Sequence, residues 1–143
     1  MLYGSELWTL SKKSERKLIS FENKILKRIY GPIQEDGSWR IRKNREIRTL
    51  YSQSDVVAQA RASRLRWAGH VFRREEESYL RRVIEGSPDG SRPRGRPRMR
   101  WFDQVQKDIR KLGASLEKVL DRTAWRNIVD EAKNHLGFEW SWR

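Results

Sequence analysis

The chain has 143 residues, a formal net charge of +13 and a sequence pI near 10.6, so a polyanion is the first partner to expect. It has no cysteine, which excludes disulfides, thiolate zinc sites and cysteine nucleophiles together. No apolar run approaches the roughly 20 residues that span a bilayer, and the opening MLYGSELWTLSKK lacks the basic and apolar regions of a secretory signal.

In chain order, Leu18, Phe21, Ile25 and Ile29 fall at helical spacing, widened by Leu26 and Tyr30, and Gly31-Pro32 supplies a stop. Residues 34–38, QEDGS, read as a turn. A short helix after Asn44 carries Ile47 and Leu50. Asp55 caps a longer helix to about residue 74, with Val57, Ala60, Trp67 and Val71 on one face. Tyr79, Leu80, Val83 and Ile84 make another short helix before the Gly/Pro/Ser segment at 86–97. Pro97 suits the first turn of a helix bearing Trp101, Val105, Ile109 and Leu112, closed by Gly113. The last helical region has Leu116, Val119 and Leu120, then Trp125, Ile128, Val129 and Ala132, ending near Gly137. The expected fold is all-α, a small multi-helix assembly with an Arg/Pro/Gly-rich loop between helices. Trp101, Val105, Ile109, Trp125, Ile128 and Val129 should form one buried cluster, because both stripes are apolar and the connection between them is short.

The chemistry concentrates in the run SRPRGRPRMRW at 91–101. Arg92, Arg94, Arg96, Arg98 and Arg100 alternate with other residues and no acid intervenes. Pro93 and Pro97 favour extended backbone, and Gly95 removes the side chain that would hold the main chain off a surface. Guanidinium forks on an extended strand suit a row of phosphates. PRGRP at 93–97 is also the sequence of an AT-hook, whose Arg-Gly-Arg lies in the minor groove of A·T-rich DNA. An import signal or a soluble Arg-rich linker are the competing readings. A second basic stretch surrounds Trp39, with Arg40, Arg42, Lys43 and Arg45, and there the indole is the candidate for stacking on a base. Arg64 and Arg66 extend the basic set. His70, in WAGH, reads as a helix-terminal hydrogen bonder, and Gly69 as a point of close packing or a local break in the helix. Residues 1–100 hold 24 Lys+Arg against 12 Asp+Glu, and residues 101–143 hold 8 against 7, so a basic body carries a nearly neutral C-terminal unit.

LYGSELWTL (2–10), RLRWAGHVFR (64–73), GRPRMRWFDQV (95–105), DIRKLG (108–113) and DRTAWRNIVDEAK (121–133) form an ordered set. The first resembles the passage from polymerase to thumb in reverse transcriptases of non-long-terminal-repeat retrotransposons. The others resemble, in order, the region after the polymerase in RTE-like elements. The resemblance runs from residue 2 to about 137 and implies a thumb-like helical segment at 1–30 touching the template–primer duplex. A basic helical region at 31–85 and a basic linker at 86–97 follow, then a C-terminal helical unit at 98–137 and a tail at 138–143. Met1, directly before LYGSE, reads as an internal methionine of a longer polyprotein, which would make the chain a fragment.

Catalysis is not expected. Two-metal polymerases need aspartates at a strand turn, and no Phe/Tyr-x-Asp-Asp occurs here. Glu35-Asp36, Glu75-Glu76-Glu77 and Asp130-Glu131 read as solvated surface groups, and His70 and His135 have no serine or carboxylate arrangement beside them. No cofactor, metal, membrane or small-molecule substrate is expected. The expected partners are RNA or DNA and the polymerase portion of the parent polyprotein, in an intracellular, nuclear setting. The alternatives are an interaction module docking on the polymerase body, or a free-standing helical DNA-binding protein. Asp130 and Glu131 on the 122–134 helix argue against the latter.

Overall fold

The computed structural model describes residues 2–86, 90, 95 and 99–135. Arg92, Arg94, Arg96, Arg98 and the tail beyond 135 lie outside the described residues. A short 3-10 turn, Ser5–Leu7, precedes α1 (Lys12–Tyr30), the strands β1 (Pro32–Glu35) and β2 (Ser38–Ile41), α2 (Asn44–Tyr51), α3 (Val56–Phe72) and α4 (Tyr79–Glu85). After the Gly/Pro-rich segment come α5 (Trp101–Lys111), a second 3-10 turn at Leu116–Val119, and α6 (Arg122–His135). The protein is mainly α.

Polar caps set several of the helix starts. The Ser11 hydroxyl accepts from the Ser14 amide at 3.2 Å, and Asp55 Oδ1 accepts from Val57 and Ala58 at 2.9 and 2.8 Å. Asp121 Oδ1 does the same for Thr123 and Ala124 at 2.8 and 3.1 Å. Each carboxylate or hydroxyl satisfies amides that have no partner inside the helix. Burial pushes the Asp55 carboxyl up, against the pull of the two amides it accepts from.

Helix α3 is the hub. Twelve of its 17 residues are buried, so it is covered on most sides, with one polar strip left open. It packs against α6, the Ser5–Leu7 turn, α1, α5 and α4. Leu65, Ala68 and Phe72 share one apolar cluster with Val105 and Ile109 of α5, Val119, and Trp125, Ile128 and Val129 of α6. The cluster expected from the two apolar stripes therefore forms, with Trp101 half-buried at its edge. The Trp125 indole N–H donates to the Leu65 carbonyl at 2.9 Å, and its ring lies where a Gly69 side chain would be.

Three sequence expectations change. The stripe Phe21, Ile25 and Ile29 faces outward, with Ile29 68% exposed. The inward side of α1 instead presents Glu15 to Arg61 of α3, Glu22 to Arg48 of α2, and Leu26. An ion pair under a helix holds only if both partners face inward, so these two contacts fix how α1 is rotated. Residues 34–38 are more than a turn. They are the tip of an antiparallel hairpin in register Pro32↔Ile41, Ile33↔Arg40, Gln34↔Trp39 and Glu35↔Ser38. Asp36 and Gly37 take positive φ of 50° and 79°, the paired left-handed geometry that lets a two-residue loop match strand twist. Finally, α5 begins at Trp101, with Arg100 as its N-cap, and Pro97, expected in its first turn, lies outside the described residues.

Candidate nucleic-acid interface

The hairpin and the start of α2 gather the first set of expected contacts. Trp39 stands on β2 with 69% of its surface open, and Lys43 and Arg45 are exposed at the beginning of α2. Arg42 is half-buried between them. Arg40 points elsewhere. Its two terminal nitrogens meet the two oxygens of Glu46 at 2.9 and 2.7 Å, and its Nε meets Glu35. Arg40 is therefore an internal clamp joining hairpin to α2, because a bidentate carboxylate occupies the fork a phosphate would need. Glu46 also accepts from the Lys43 backbone amide at 2.7 Å. The bonds from Arg40 and then from Lys43 hold the Glu46 carboxyl at about 2, and the two carboxylates push Arg40 up.

Arg64 is a second correction. It is 0% exposed, bound to Asp108 of α5, itself 1% exposed, and donates from Nε to the Trp8 carbonyl at 3.1 Å. Gln104 lies 3.4 Å from the other Asp108 oxygen. Burial lowers the Arg64 pKa, with Asp108 opposing the change. Such a group cannot touch a phosphate. Two residues on, Arg66 is exposed on the outer side of α3.

Around Arg66 the structure assembles groups that sequence reasoning did not join. Ser63, Arg66, Trp67, His70 and Arg73 line a shallow depression with Glu6 of the Ser5–Leu7 turn. Trp67 stands edge-on to His70 at 5.8 Å and to Trp101 at 6.2 Å between ring centres. The Trp101 indole donates to the Glu6 carbonyl at 2.7 Å, so the start of α5, next to Arg100, is tied to the chain's first turn. The spacing 63, 66, 67, 70, 73 was available as a one-face helical pattern. The apolar spacing of Val57, Ala60, Trp67 and Val71 hides it by placing Trp67 on the core face. Gly95 has φ of 107°, a conformation L side chains rarely adopt, while the four arginines flanking it lie outside the described residues.

Some of the acids are placed inward, while others, among them Glu75, Glu77 and Glu131, are exposed. Glu15, Glu22, Glu46 and Asp108 each meet an arginine within the fold, and Asp55, Asp103 and Asp121 accept from helix-start amides. Lys17, Lys24, Lys27, Arg28, Lys43, Arg66, Arg74 and Arg82 are exposed. Among the described residues exposed lysines and arginines outnumber exposed acids, so the described surface carries a net positive charge. Among the described residues no three His, Asp or Glu side chains are placed to hold a metal ion, and no helix is long and apolar enough to cross a membrane.

Against this geometry the comparisons with known proteins give one informative match. The chain is 28% identical over 137 residues to a Caenorhabditis elegans protein named "Putative uncharacterized transposon-derived protein". The match covers 95% of this chain and 48% of the relative, so the chain spans about half of that protein's length. The chain is similar to a transposon-derived protein. No family model matches it, and no solved structure matches it.

Proposed function

We propose that the protein is a non-catalytic, nucleic-acid-binding region lying C-terminal to the polymerase of a non-long-terminal-repeat retrotransposon reverse transcriptase. The observation that carries this reading is the allocation of charge. Glu15, Glu22, Glu46 and Asp108 pair with arginines within the fold, while among the described residues exposed lysines and arginines outnumber exposed acids and Trp39 stands open at the surface. Cations at a surface attract a phosphate backbone without reading sequence, and an exposed indole adds stacking on unpaired bases. The ordered resemblance over 2–137 and the transposon-derived relative supply the element context. The substrate is template RNA or target DNA, the setting nuclear. Titrating the purified chain with labelled RNA and DNA over a range of salt tests the reading. Micromolar or tighter binding that weakens steeply with salt is expected, and absence of binding to both polymers overturns it.

One observation favours a second contact. Phe21, Ile25 and Ile29 run along the outer side of α1, each four residues from the next, and are exposed. By the resemblance, this side of a thumb-like helix bears on the polymerase portion of the parent chain. Co-expression with that portion should then protect the three side chains from exchange and labelling, whereas unchanged labelling assigns the stripe to solvent.

A further inference from the structure

Helix α3 leaves one strip open. Of its 17 residues only Gln59, Ser63, Arg66, Trp67 and His70 escape burial, and they fall on one face at helical spacing. All five carry hydrogen-bond donors and none is acidic. An ordinary solvated helix face mixes both signs of charge. The strip continues past the helix end into Arg73 and Arg74, and among the described residues Glu6, half-buried, is the single carboxylate lining the depression it forms. Arg73 is held by a 3.2 Å bond from one terminal nitrogen to the Val119 carbonyl. Arg74 Nη2 lies 3.4 Å from His70 Nε2, and Trp67 is braced between His70 and Trp101. Positioned guanidinium groups around a braced, half-open indole match the chemistry of a phosphate joined to a base.

We propose that this face of α3 is a pocket for single-stranded nucleic acid, with Arg66, His70 and Arg73 on one phosphodiester and Trp67 against the adjoining base. The proposal rests on the nucleic-acid reading above and narrows it to the strand type. A duplex buries its base faces in its own stack, so it can offer such a pocket only phosphates, whereas a single strand offers both parts. A free phosphate would gain nothing from the indole.

The test uses the whole chain, a labelled oligonucleotide as single strand and as duplex, and inorganic phosphate as competitor. The Arg66→Ala/His70→Ala variant removes two solvent-facing side chains and should keep its melting temperature. Its affinity for the single strand should drop at least about tenfold, the loss expected for contacts to a charged group. Duplex affinity should change by no more than about twofold, because other surface cations supply it. Trp67→Leu should weaken the single strand roughly five- to a hundredfold, with Trp67→Phe retaining most of the binding. Equal losses on single strand and duplex would show a general phosphate surface and overturn the pocket. So would an unchanged single-strand affinity in the Arg66/His70 variant, or efficient displacement of the strand by inorganic phosphate. In those three cases the broader nucleic-acid function stands. If the unmodified chain binds neither polymer, both readings fall together. Should Trp67→Leu melt at lower temperature because it also braces Trp101, the Arg66/His70 variant decides alone.

Discussion

Arg64 and Asp108 meet where α3 crosses α5, sealed from water on every side. A buried pair of this kind adds little net stability, yet breaking it leaves an uncompensated charge. Asp108→Asn should therefore cost about 3–5 kcal/mol, read from denaturant or thermal melts, while Arg64→Met/Asp108→Leu together should be near neutral. If the single change is harmless, the pair is solvated in solution. Gly69 and Trp125 make a second residue-scale case. Alanine is the better helix former by about 1 kcal/mol, but at Gly69 its methyl would overlap the Trp125 ring. Gly69→Ala should destabilise by about 1–3 kcal/mol in spite of propensity, and Trp125→Ala by about 3–5 kcal/mol. Melting temperatures equal to wild type would place this tryptophan at the surface. A glycine inside a helical pattern left close packing or a local break open at Gly69, and the Trp125 ring against it decides for close packing. The burial of Arg64 was not, because its partner lies 44 residues away and nothing local distinguishes it from Arg66.

At the scale of elements, α2 to α6 were legible from apolar periodicity and caps, and the C-terminal cluster from two adjacent stripes. The hairpin was under-read although Asp36-Gly37 is the dipeptide that a type I′ loop demands, since the flanking strands are only four residues each. The rotation of α1 escaped because apolar spacing ranks Phe21, Ile25 and Ile29 above the acids that in fact face inward. Arg40 and Glu46 join hairpin to α2, and the pair has a pH signature. The Glu46 carboxyl sits at about 2, below the usual ~4.3 of an unfolded glutamate. Its contribution is complete above the unfolded value and is lost as pH falls toward 2. Melting temperature measured against pH should fall more steeply in wild type than in Glu46→Gln below about pH 4.3; parallel curves would show that Glu46 titrates as in the unfolded chain. For the arginine run, changing residues 92, 94, 96, 98 and 100 to Ala should flatten the log affinity–log salt slope on duplex DNA by up to about 4–5, from roughly 0.9 per phosphate contact. Neutralising Lys107, Arg110 and Lys111 should do much less. An unchanged slope in the five-arginine variant would make the run a linker or an import signal.

At the scale of the whole molecule, no three His, Asp or Glu side chains among the described residues are placed to hold a metal ion, and the proposed non-catalytic role predicts that primer extension with Mg²⁺ or Mn²⁺ shows no template-dependent incorporation by the purified protein. Incorporation would reverse the functional reading. The central position of α3 has a consequence for synthesis. Leu65 and the indole that caps its carbonyl are 60 residues apart in sequence. At roughly 5–20 residues per second a ribosome takes some 3–12 seconds to make that stretch, during which the most apolar helix of the protein has emerged without its cover. A chain truncated anywhere between Phe72 and Trp125 would stay in that state permanently. Such truncations should be cleared by chaperones and proteases or aggregate, so a stably folded product requires synthesis through the last helix.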